Sequence, residues 1–395
     1  MYRKFKADHL FTGIEMLDSN KVLITKTDGT IEAIIDETGA GDVEICNGIL
    51  SPGFINAHCH LELSHMKGLI PEKTGLVDFV YKVVNERYFA EDEILHAIEN
   101  AENEMLANGI VAVGDICNNL FTLPQKQKQI LSYYNLIEAS GWLPTISQTR
   151  FERAQSIYNE FSTHNSQLTT HNSIVPHAPY SVSDDLWELI TPYFENKTVS
   201  IHNQETSFED ELFLQGTGDL VRMYALMKID NTHYQPSKKS SLQTNFSKLS
   251  NAASIILVHN TFTKQDDIDF IKQQTTHYKF QTFFCICINA NQYIENALPP
   301  IDLFQKNNCN IVLGTDSLAS NRSLNILDEM KTIQKYFPDI SLQDLLKYAT
   351  INGAKALQMD NESGSFEKGK KPGIVLIENA DDFKLKNESS SKRIL

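Results

Sequence analysis

Short apolar runs that alternate with longer helical patterns constrain the fold of this chain more than any other feature. Eight runs can be counted: Leu50–His58, Ile110–Ile116, Tyr133–Ala139, Ser173–His177, Val199–His202, Ile255–His259, Phe280–Ile286 and Asn310–Asp316. Most are apolar almost throughout, which is typical of strands buried on both faces of a parallel sheet. Amphipathic stretches such as Glu91–Asn108 and Asp184–Asn196 separate some of them. The alternation predicts an α/β fold, a (β/α)8 TIM-type barrel, with a doubly wound open sheet as the alternative.

Polar side chains lie at the C-terminal ends of these runs. The set is His58, His60, Asp115, His177, His202, His259 and Asp316. In a barrel these ends meet at one mouth, where active sites lie, and this favours the barrel over the open sheet. Burying several ionisable groups together is costly unless they pair or bind a metal. We therefore expect one polar site at the mouth. The histidines that lie away from strand ends are expected on the surface; they are His9, His96, His164, His171, His233 and His277.

Both ends of the chain depart from the barrel pattern. Polar-rich strands with turns are predicted over Met1–Cys46, and a turn, a loop and another strand over Gly364–Ile377. We expect residues 1–52 and 357–395 to form a small composite β-sandwich domain beside a barrel of residues 53–356. The serine-rich end, Lys384–Leu395, is expected to fray.

One segment between the fifth and sixth runs is unusually long. Asn231–Asn251 is polar and only weakly periodic. Connections of this length usually belong to functional loops, and whether this one is a lid stays open.

Charge and cysteine content narrow the class of partner. The chain has 395 residues, with 35 Lys and Arg against 50 Asp and Glu, a formal charge of −15. Without a basic stripe, such a chain is a poor candidate for binding nucleic acid or an anionic membrane. Six cysteines without paired spacing fit a reduced, cytoplasmic protein, and no signal peptide or membrane span is expected. We expect a small-molecule substrate as partner, and leave open whether the chain forms a homodimer.

Two histidines at the first strand end have metal-ligand spacing. His58 and His60 are two residues apart, so on a strand both side chains point to the same face and reach one ion. Cys59 between them points into the helix layer and is interpreted as a core residue.

Two further strand ends and a carboxylate complete this set. His202 ends the fifth run, and Glu205 follows where the chain can fold back over the mouth. A metal ligand beside a non-ligand carboxylate is what metal-assisted hydrolysis needs, although Glu205 could equally cap a helix. His259 and Asp316 end two more runs. A site of three histidines and one aspartate suits a catalytic Zn²⁺ or Fe²⁺ with an open position.

Five motifs occur in order at the predicted strand ends: PGFINAHCHLE, PHAPYS, IHNQE, LVHNT and LGTDS. Together they resemble the amidohydrolase superfamily. The similarity is greatest to its mononuclear deaminase and chlorohydrolase branch, which includes S-adenosylhomocysteine, guanine, cytosine and aminofutalosine deaminases. GSFEKGKKPGIVLIE resembles the C-terminal element of that branch.

The resemblance implies roles for individual residues. His58, His60, His202 and Asp316 match the metal ligands, Glu205 matches the proton shuttle, and His259 matches the residue that hydrogen-bonds the attacking water. VPHAPYS lacks the lysine of binuclear relatives, which implies one divalent ion. Zn²⁺ is the expected ion, and Fe²⁺ stays open as the alternative. One departure is Cys285-Ile286-Cys287-Ile288-Asn289, where relatives have a CP-x-x-N pattern.

The resemblance also suggests residues that contact the substrate. His177 matches a histidine that contacts the substrate in the branch, and Glu86 resembles a carboxylate that holds ribose hydroxyls. Arg150 and Arg153 resemble arginines that hold a carboxylate, and His65 lies just past the metal pair.

The expected function is metal-dependent hydrolysis of a C–N bond. Deamination of a purine nucleoside-like or other amino-heterocyclic substrate is favoured, with Glu205, His259 and Asp316 as catalytic residues. Dechlorination or cyclic amide hydrolysis on the same site stays open. A metal-binding barrel without turnover is a distant alternative, because Glu205, His259 and Asp316 are all present.

Overall fold

The computed structural model describes residues 1–39, 41–164, 171–275 and 280–395, with the side chain of His164 excepted. The predictions for His164 and His277 therefore lie outside the described part of the chain. The side chains of His96, His171 and His233 are exposed, as expected, and that of His9 is half-buried.

Fifteen strands are present in the described residues. They are β1 (Tyr2–Phe11), β2 (Met16–Leu17), β3 (Lys21–Lys26), β4 (Ile31–Asp36), β5 (Glu44–Pro52), β6 (Phe54–Cys59), β7 (Ile110–Cys117), β8 (Ser132–Ala139), β9 (His171–Pro176), β10 (Thr198–Asn203), β11 (Ser254–His259), β12 (Gln281–Ile286), β13 (Asn310–Leu313), β14 (Ile374–Glu378) and β15 (Ser390–Arg393). Each of the eight apolar runs of the sequence overlaps one of the strands β6–β13.

Fourteen α-helices are described between and around these strands. They are α1 (Leu76–Glu86), α2 (Glu91–Ala107), α3 (Leu123–Lys126), α4 (Ser147–His164), α5 (Asp184–Ile190), α6 (Ser207–Gln215), α7 (Asp219–Leu226), α8 (Ser241–Asn245), α9 (Gln265–Thr275), α10 (Ile288–Ile294), α11 (Ile301–Lys306), α12 (Ile326–Tyr336), α13 (Leu342–Ala349) and α14 (Ile351–Ala356). None of the described helices is both long and apolar enough to span a bilayer.

The predicted helix over Asp184–Asn196 is shorter than expected. The α-helix ends at Ile190 and a 3-10 turn follows over Thr191–Phe194. Pro192 explains the change, because proline has no N–H to donate and its ring clashes with the preceding turn.

The eight central strands form two parallel four-stranded sheets, β6–β9 and β10–β13, each in chain order. The sheets approach each other at both edges. The His202 N–H donates to the His177 carbonyl at 2.9 Å, and the Asp316 N–H donates to the His58 carbonyl at 3.1 Å. The fold is therefore α/β and TIM-barrel-like, and the C-terminal ends of all eight strands lie on one side. The main hydrophobic core surrounds these strands, and most of their residues are fully buried.

Both ends of the chain meet in one sheet. Seven strands pair in the order β15-β14-β5-β1-β3-β4, with β2 on β1. The sequence predicted that both ends share one small β domain, of the sandwich type. The long strand β5 pairs with β1 on one edge and with β14 on the other, so the two ends hydrogen-bond into one sheet. The Ile31 N–H also donates to the Lys370 carbonyl at 2.9 Å, so the β4 edge of the sheet approaches the C-terminal segment.

The C-terminal residues are ordered, contrary to the expectation that they fray. Strand β15 pairs antiparallel with β14, and the Ser391 hydroxyl donates to the Asn108 carbonyl at 2.8 Å. Ile374 exchanges backbone hydrogen bonds with Ile394 and Leu395 at 2.9 and 3.0 Å. A polar sequence can therefore form a stable edge strand when a neighbouring strand supplies the backbone partners.

Deleting residues 390–395 is expected to lower the free energy of unfolding by several kcal/mol, at about 1 kcal/mol for each hydrogen bond lost. Chemical denaturation measures the change. Ser390→Ala, which alters an exposed side chain on the same strand, is the control and should leave the midpoint unchanged. An unchanged midpoint for the deletion would show that β15 contributes nothing to stability.

Candidate active site

Three of the predicted metal ligands converge between the first and last central strands. His58 and His60 lie at the end of β6, and their Nε2 atoms are 3.1 Å apart. Asp316 follows β13, with Oδ1 3.3 Å from His60 Nε2 and 3.6 Å from His58 Nε2. The spacing of the two histidines on one strand thus places both rings at the same carboxylate, as the sequence analysis expected.

The other two histidines approach this group from strands β10 and β11. The His58 ring centroid is 5.0 Å from that of His202, and the His202 centroid is 5.3 Å from that of His259. One ligand atom from each of His58, His202, His259 and Asp316 falls within 4.8 Å of the others. His259 therefore lies as close to the group as the expected ligands do, although the resemblance gave it a different role.

The backbone at these strand ends is unusual. His259, Asp316 and Gln204, which precedes Glu205, have φ values of +74°, +57° and +45°. Residues other than glycine rarely adopt such angles, and they persist where surrounding contacts determine them, often at functional sites. Each of these three residues turns the chain sharply after a strand. The turns leave the side chains of Glu205, His259 and Asp316 at the mouth.

Burial keeps the imidazoles neutral. It lowers the pKa of His60 to about 3 and that of His177 to about 4, and it lowers the pKa values of His202 and His259 as well. The Nδ1–H of His202 donates to the His177 carbonyl at 2.8 Å, and that of His259 donates to Asn291 Oδ1 at 2.8 Å. Both rings therefore keep a free lone pair on Nε2.

Asp316 is the anion of the group. Burial opposes its ionisation, but hydrogen bonding to His58 and electrostatic attraction to the neighbouring imidazoles hold its pKa well below the usual value. The Ser320 hydroxyl donates to Asp316 Oδ2 and fixes the carboxylate.

Glu205 differs from Asp316 in its protonation. Its Oε1 lies 3.7 Å from His259 Nε2, and its side chain is buried. Burial, with a smaller contribution from the charge of Asp316, raises the pKa of Glu205 well above its ordinary value. When two neighbouring carboxyl groups have opposite pKa shifts, the group with the lowered pKa usually stays charged and the group with the raised pKa usually carries the proton.

These residues lie at the base of a cavity of about 1140 Å³. Its lining includes His60, His202, Glu205, His259 and Asp316, and extends mainly over the ends of β6–β9. The cavity is large enough for a nucleoside-sized molecule, since ligand pockets usually measure roughly 300–1,000 Å³.

Three of the predicted substrate contacts lie on this cavity and two do not. His177, Arg150 and Arg153 line it. Glu86 is exposed at the end of α1, outside the lining, so its expected contact with ribose is not supported. His65 faces the Arg87 carbonyl at 3.0 Å and packs on Phe89; these two residues line the cavity, and His65 does not.

Two buried carboxylates on the cavity wall were not predicted. Burial raises the pKa values of Glu62 and Glu138 to about 7. Glu62 pairs with Arg87 at 3.1 Å, and Glu138 accepts from Asn118 Nδ2 at 2.8 Å. Glu138 occupies the same strand-end position on β8 that His202 has on β10, and this was the signal that could have identified it.

Asp115, another strand-end residue, has a supporting role. Its carboxylate pairs with the buried Lys126 at 2.5 Å and accepts from the Leu61 N–H at 2.9 Å. The attraction of Asp115 raises the pKa of Lys126 although burial lowers it, so the pair is ionic. It fixes the backbone directly after His60.

The donor set fits a divalent metal ion. Neutral imidazoles with free lone pairs and one carboxylate are the ligands of catalytic zinc and related ions. His58 Nδ1 is buried without a hydrogen-bond partner. The ligand atoms of His58, His60, His202, His259 and Asp316 lie close together, and four of them are imidazole nitrogens. Without an ion, the lone pairs of these atoms would face each other.

Comparison with known proteins gives the family. The sequence pattern of the Amidohydrolase family matches residues 49–392. The chain belongs to the amidohydrolase family. The resemblance noted in the sequence motifs is thereby confirmed, and the protein is a hydrolase of C–N bonds other than peptide bonds.

Curated relatives of this amidohydrolase are deaminases. It is 27% identical to the 5-methylthioadenosine/S-adenosylhomocysteine deaminase of Thermoanaerobacter pseudethanolicus, over 84% of this chain and 73% of that one. It is 24% identical to the adenosine deaminase of Helicobacter pylori, over 84% and 79%.

Solved structures show the same fold. The aminofutalosine deaminase of Helicobacter pylori with methylthio-coformycin superposes with a TM-score of 0.82 at 20% identity, over the whole of both chains. The zinc-complexed atrazine chlorohydrolase of Arthrobacter aurescens gives 0.73 at 15% identity, over 97% of this chain and 89% of that one.

Proposed function

We propose that this amidohydrolase deaminates an adenosine-like substrate by hydrolysis, with one divalent metal ion. The observation that carries the proposal is the position of Glu205, a buried carboxyl group with raised pKa beside His259 and the donor group at the cavity base. The names of the curated relatives support an adenosine-like substrate.

The architecture proposed for this function is a closed (β/α)8 barrel over residues 53–356. Residues 1–52 and 357–395 form the composite β domain beside it. The hydrogen bonds at both sheet edges and the shared seven-stranded sheet support this division.

His58, His60, His202 and Asp316 would hold the ion, Zn²⁺ in preference to Fe²⁺. When bound, such an ion makes a water molecule acidic enough to supply a nucleophile near neutral pH. His259 contributes a neutral Nε2 that accepts a hydrogen bond from the attacking water, and Asn291 keeps the ring in this tautomer.

Glu205 moves the proton. Its carboxylate accepts a proton from the water, and the resulting acid donates it to the ring nitrogen next to the amino-bearing carbon. A C–O bond forms at that carbon, the remaining proton of the added water passes to the amino group, and the C–N bond breaks to release ammonia. A raised pKa suits this cycle, because the group must both take and give a proton near neutral pH.

The remaining lining residues hold the substrate. His177 lies beside His202, with ring centroids 4.8 Å apart, and its Nδ1 is paired with Ser181 Oγ at 2.8 Å, so Nε2 is available to the substrate. Arg150 and Arg153 line a more distant part of the cavity, where they would pair with an acidic group.

Ammonia release tests the proposal. The metal-loaded protein is incubated with adenosine, 5′-deoxyadenosine, methylthioadenosine, S-adenosylhomocysteine, aminofutalosine, guanine, 8-oxoguanine and cytosine. Ammonia from at least one adenosine derivative, and more slowly from the free bases, is expected. Chloride release from a chlorotriazine without ammonia from any nucleoside would favour the dechlorination alternative.

Asp316→Ala is expected to lose metal affinity and activity together, because it removes the one anionic ligand. Elemental analysis after dialysis and ammonia release measure the two effects.

In the wild type, a chelator should abolish activity and lower the melting temperature, since an ion bound only to the folded state stabilises it. Two tightly bound ions per active chain, or an active metal-free variant, would contradict the assignment.

A further inference from the structure

The long segment Asn231–Asn251 contacts both the cavity wall and helix α6. None of its residues lines the cavity, but Asn231 Oδ1 accepts from Nε1 of Trp142, a lining residue, at 2.7 Å. The segment includes α8 and a following 3-10 turn, and the first residue of α8 faces helix α6. The Ser241 hydroxyl donates to Glu209 Oε1 at 2.6 Å, and the Ser241 N–H donates to Asp210 Oδ1 at 3.1 Å. The segment is thereby attached to the first turn of α6.

Glu209 connects that attachment to the turn that carries Glu205. Its Oε1 also accepts from the Gln204 N–H at 3.0 Å, and its Oε2 accepts from the Glu205 N–H at 3.3 Å. One buried carboxylate therefore binds two consecutive backbone N–H groups and one hydroxyl. Burial raises the pKa of Glu209 to about 8, and the hydrogen bonds from Ser241 and the Gln204 N–H act in the opposite direction.

The turn needs such support because its backbone is strained. Gln204 has a φ of +45°, which a residue with a side chain adopts only when neighbours hold it. The Gln204 side chain is held separately, since its Nε2 donates to Asp267 Oδ2 at 2.9 Å and its Oε1 accepts from Thr263 at 2.7 Å. Glu209 holds the backbone N–H groups on either side of the Gln204 Cα, and the Phe262 N–H donates to the Gln204 carbonyl at 2.9 Å.

We propose that Glu209 is a positioning residue for the proton carrier Glu205, and that the segment Asn231–Asn251 supports the reaction through Ser241. The inference rests on the proposed function, because it requires Glu205 to move the proton. Neither residue contacts the cavity. Their effect is therefore on the rate of the chemical step and not on substrate binding.

Glu209→Gln is the sharper variant. An amide offers only one acceptor oxygen, so its NH₂ group must face either a backbone N–H or the Ser241 hydroxyl. A displacement of about 1 Å at a catalytic group can cost about 100-fold, and we expect kcat to fall about 10- to 100-fold with KM nearly unchanged. Ser241→Ala removes one of three donors, and a smaller fall of about 3- to 10-fold is expected.

Ser237→Ala is the matched control. Ser237 belongs to the same segment, but its hydroxyl contacts Thr244 at 2.6 Å and the Phe213 carbonyl at 3.2 Å, not Glu209. It should lower the melting temperature as much as Ser241→Ala does while keeping the wild-type kcat. Amide hydrogen exchange in the peptide 203–206 should become faster in Ser241→Ala and in Glu209→Gln only.

The decisive experiment combines these changes with Glu205→Gln. If Glu209 and Ser241 act through Glu205, their effects on kcat disappear once Glu205 cannot carry a proton. The same fold-losses in both backgrounds, or a rise in KM with constant kcat, would overturn the inference and leave the proposed function intact. A wild-type protein that releases no ammonia from any panel member would instead refute the proposed function and this inference with it.

Discussion

Replacing Glu205 by Gln is expected to lower kcat at least about 100-fold while the metal content and the fold stay as in the wild type. Gln has nearly the shape of Glu but cannot accept a proton at neutral pH, and a positioned acid–base group typically contributes about 10²–10⁴-fold. Because Glu205 is not among the residues assigned to the ion, metal binding should survive. Single-turnover ammonia release and elemental analysis on the same sample measure both quantities.

Glu188→Gln is the matched control for this change. Glu188 is an exposed carboxylate on α5, outside the cavity, and its loss should leave kcat unchanged. A Glu205→Gln protein with near wild-type turnover would show that another group moves the proton. A variant that loses its metal would instead place Glu205 among the ligands.

Lys126→Met is expected to give the largest loss of stability, about 3–5 kcal/mol. The substitution leaves the Asp115 carboxylate buried without its 2.5 Å partner, and breaking a buried ion pair from one side typically costs this amount. Because Asp115 also holds the Leu61 N–H beside His60, metal affinity should fall as well. Chemical denaturation and metal titration measure the two losses.

The control is the neighbouring exposed pair. Lys128 lies 2.7 Å from Glu99, with both side chains 47% exposed, so Lys128→Met should cost less than about 1 kcal/mol. Adding Asp115→Asn to Lys126→Met should recover part of the stability, because no uncompensated charge then remains. Equal losses for Lys126→Met and Lys128→Met would contradict this account of the buried pair.

Local patterns were sufficient for the strands and for the histidines that meet at their ends. The alternation of side chains along a strand determines that His58 and His60 share a face, and the ends of buried runs located His202 and His259. The proximity of these side chains follows from their positions, because parallel strands bring their C-terminal ends together.

Helix ends and long-range pairing could not be read in the same way. On a helix, successive residues differ by about 100° in direction, so the choice between Glu86 and Arg87 depends on the exact end of α1. Arg87 lines the cavity and Glu86 does not. The pairing of β5 with β14 joins residues as far apart in the chain as Pro52 and Ile374, and it leaves no local signal.

Buried carboxyl groups were the other residues that the sequence did not indicate. Glu138 lies inside an apolar run, where a single carboxylate resembles an exposed position on an amphipathic strand. Its pKa is raised by burial among the surrounding strands, and the hydrogen bond from Asn118 acts in the opposite direction. Glu209 was missed for a related reason, since its role depends on where Ser241 packs.

The most direct test of the central claim is the reaction of the metal-loaded protein with adenosine derivatives in ¹⁸O-labelled water. Hydrolytic deamination at this site predicts one ammonia and one ¹⁸O atom in the product ring for each turnover. Both should be lost in the Glu205→Gln protein at unchanged metal content. Ammonia without ¹⁸O in the ring, or no ammonia from any adenosine derivative, would contradict the account.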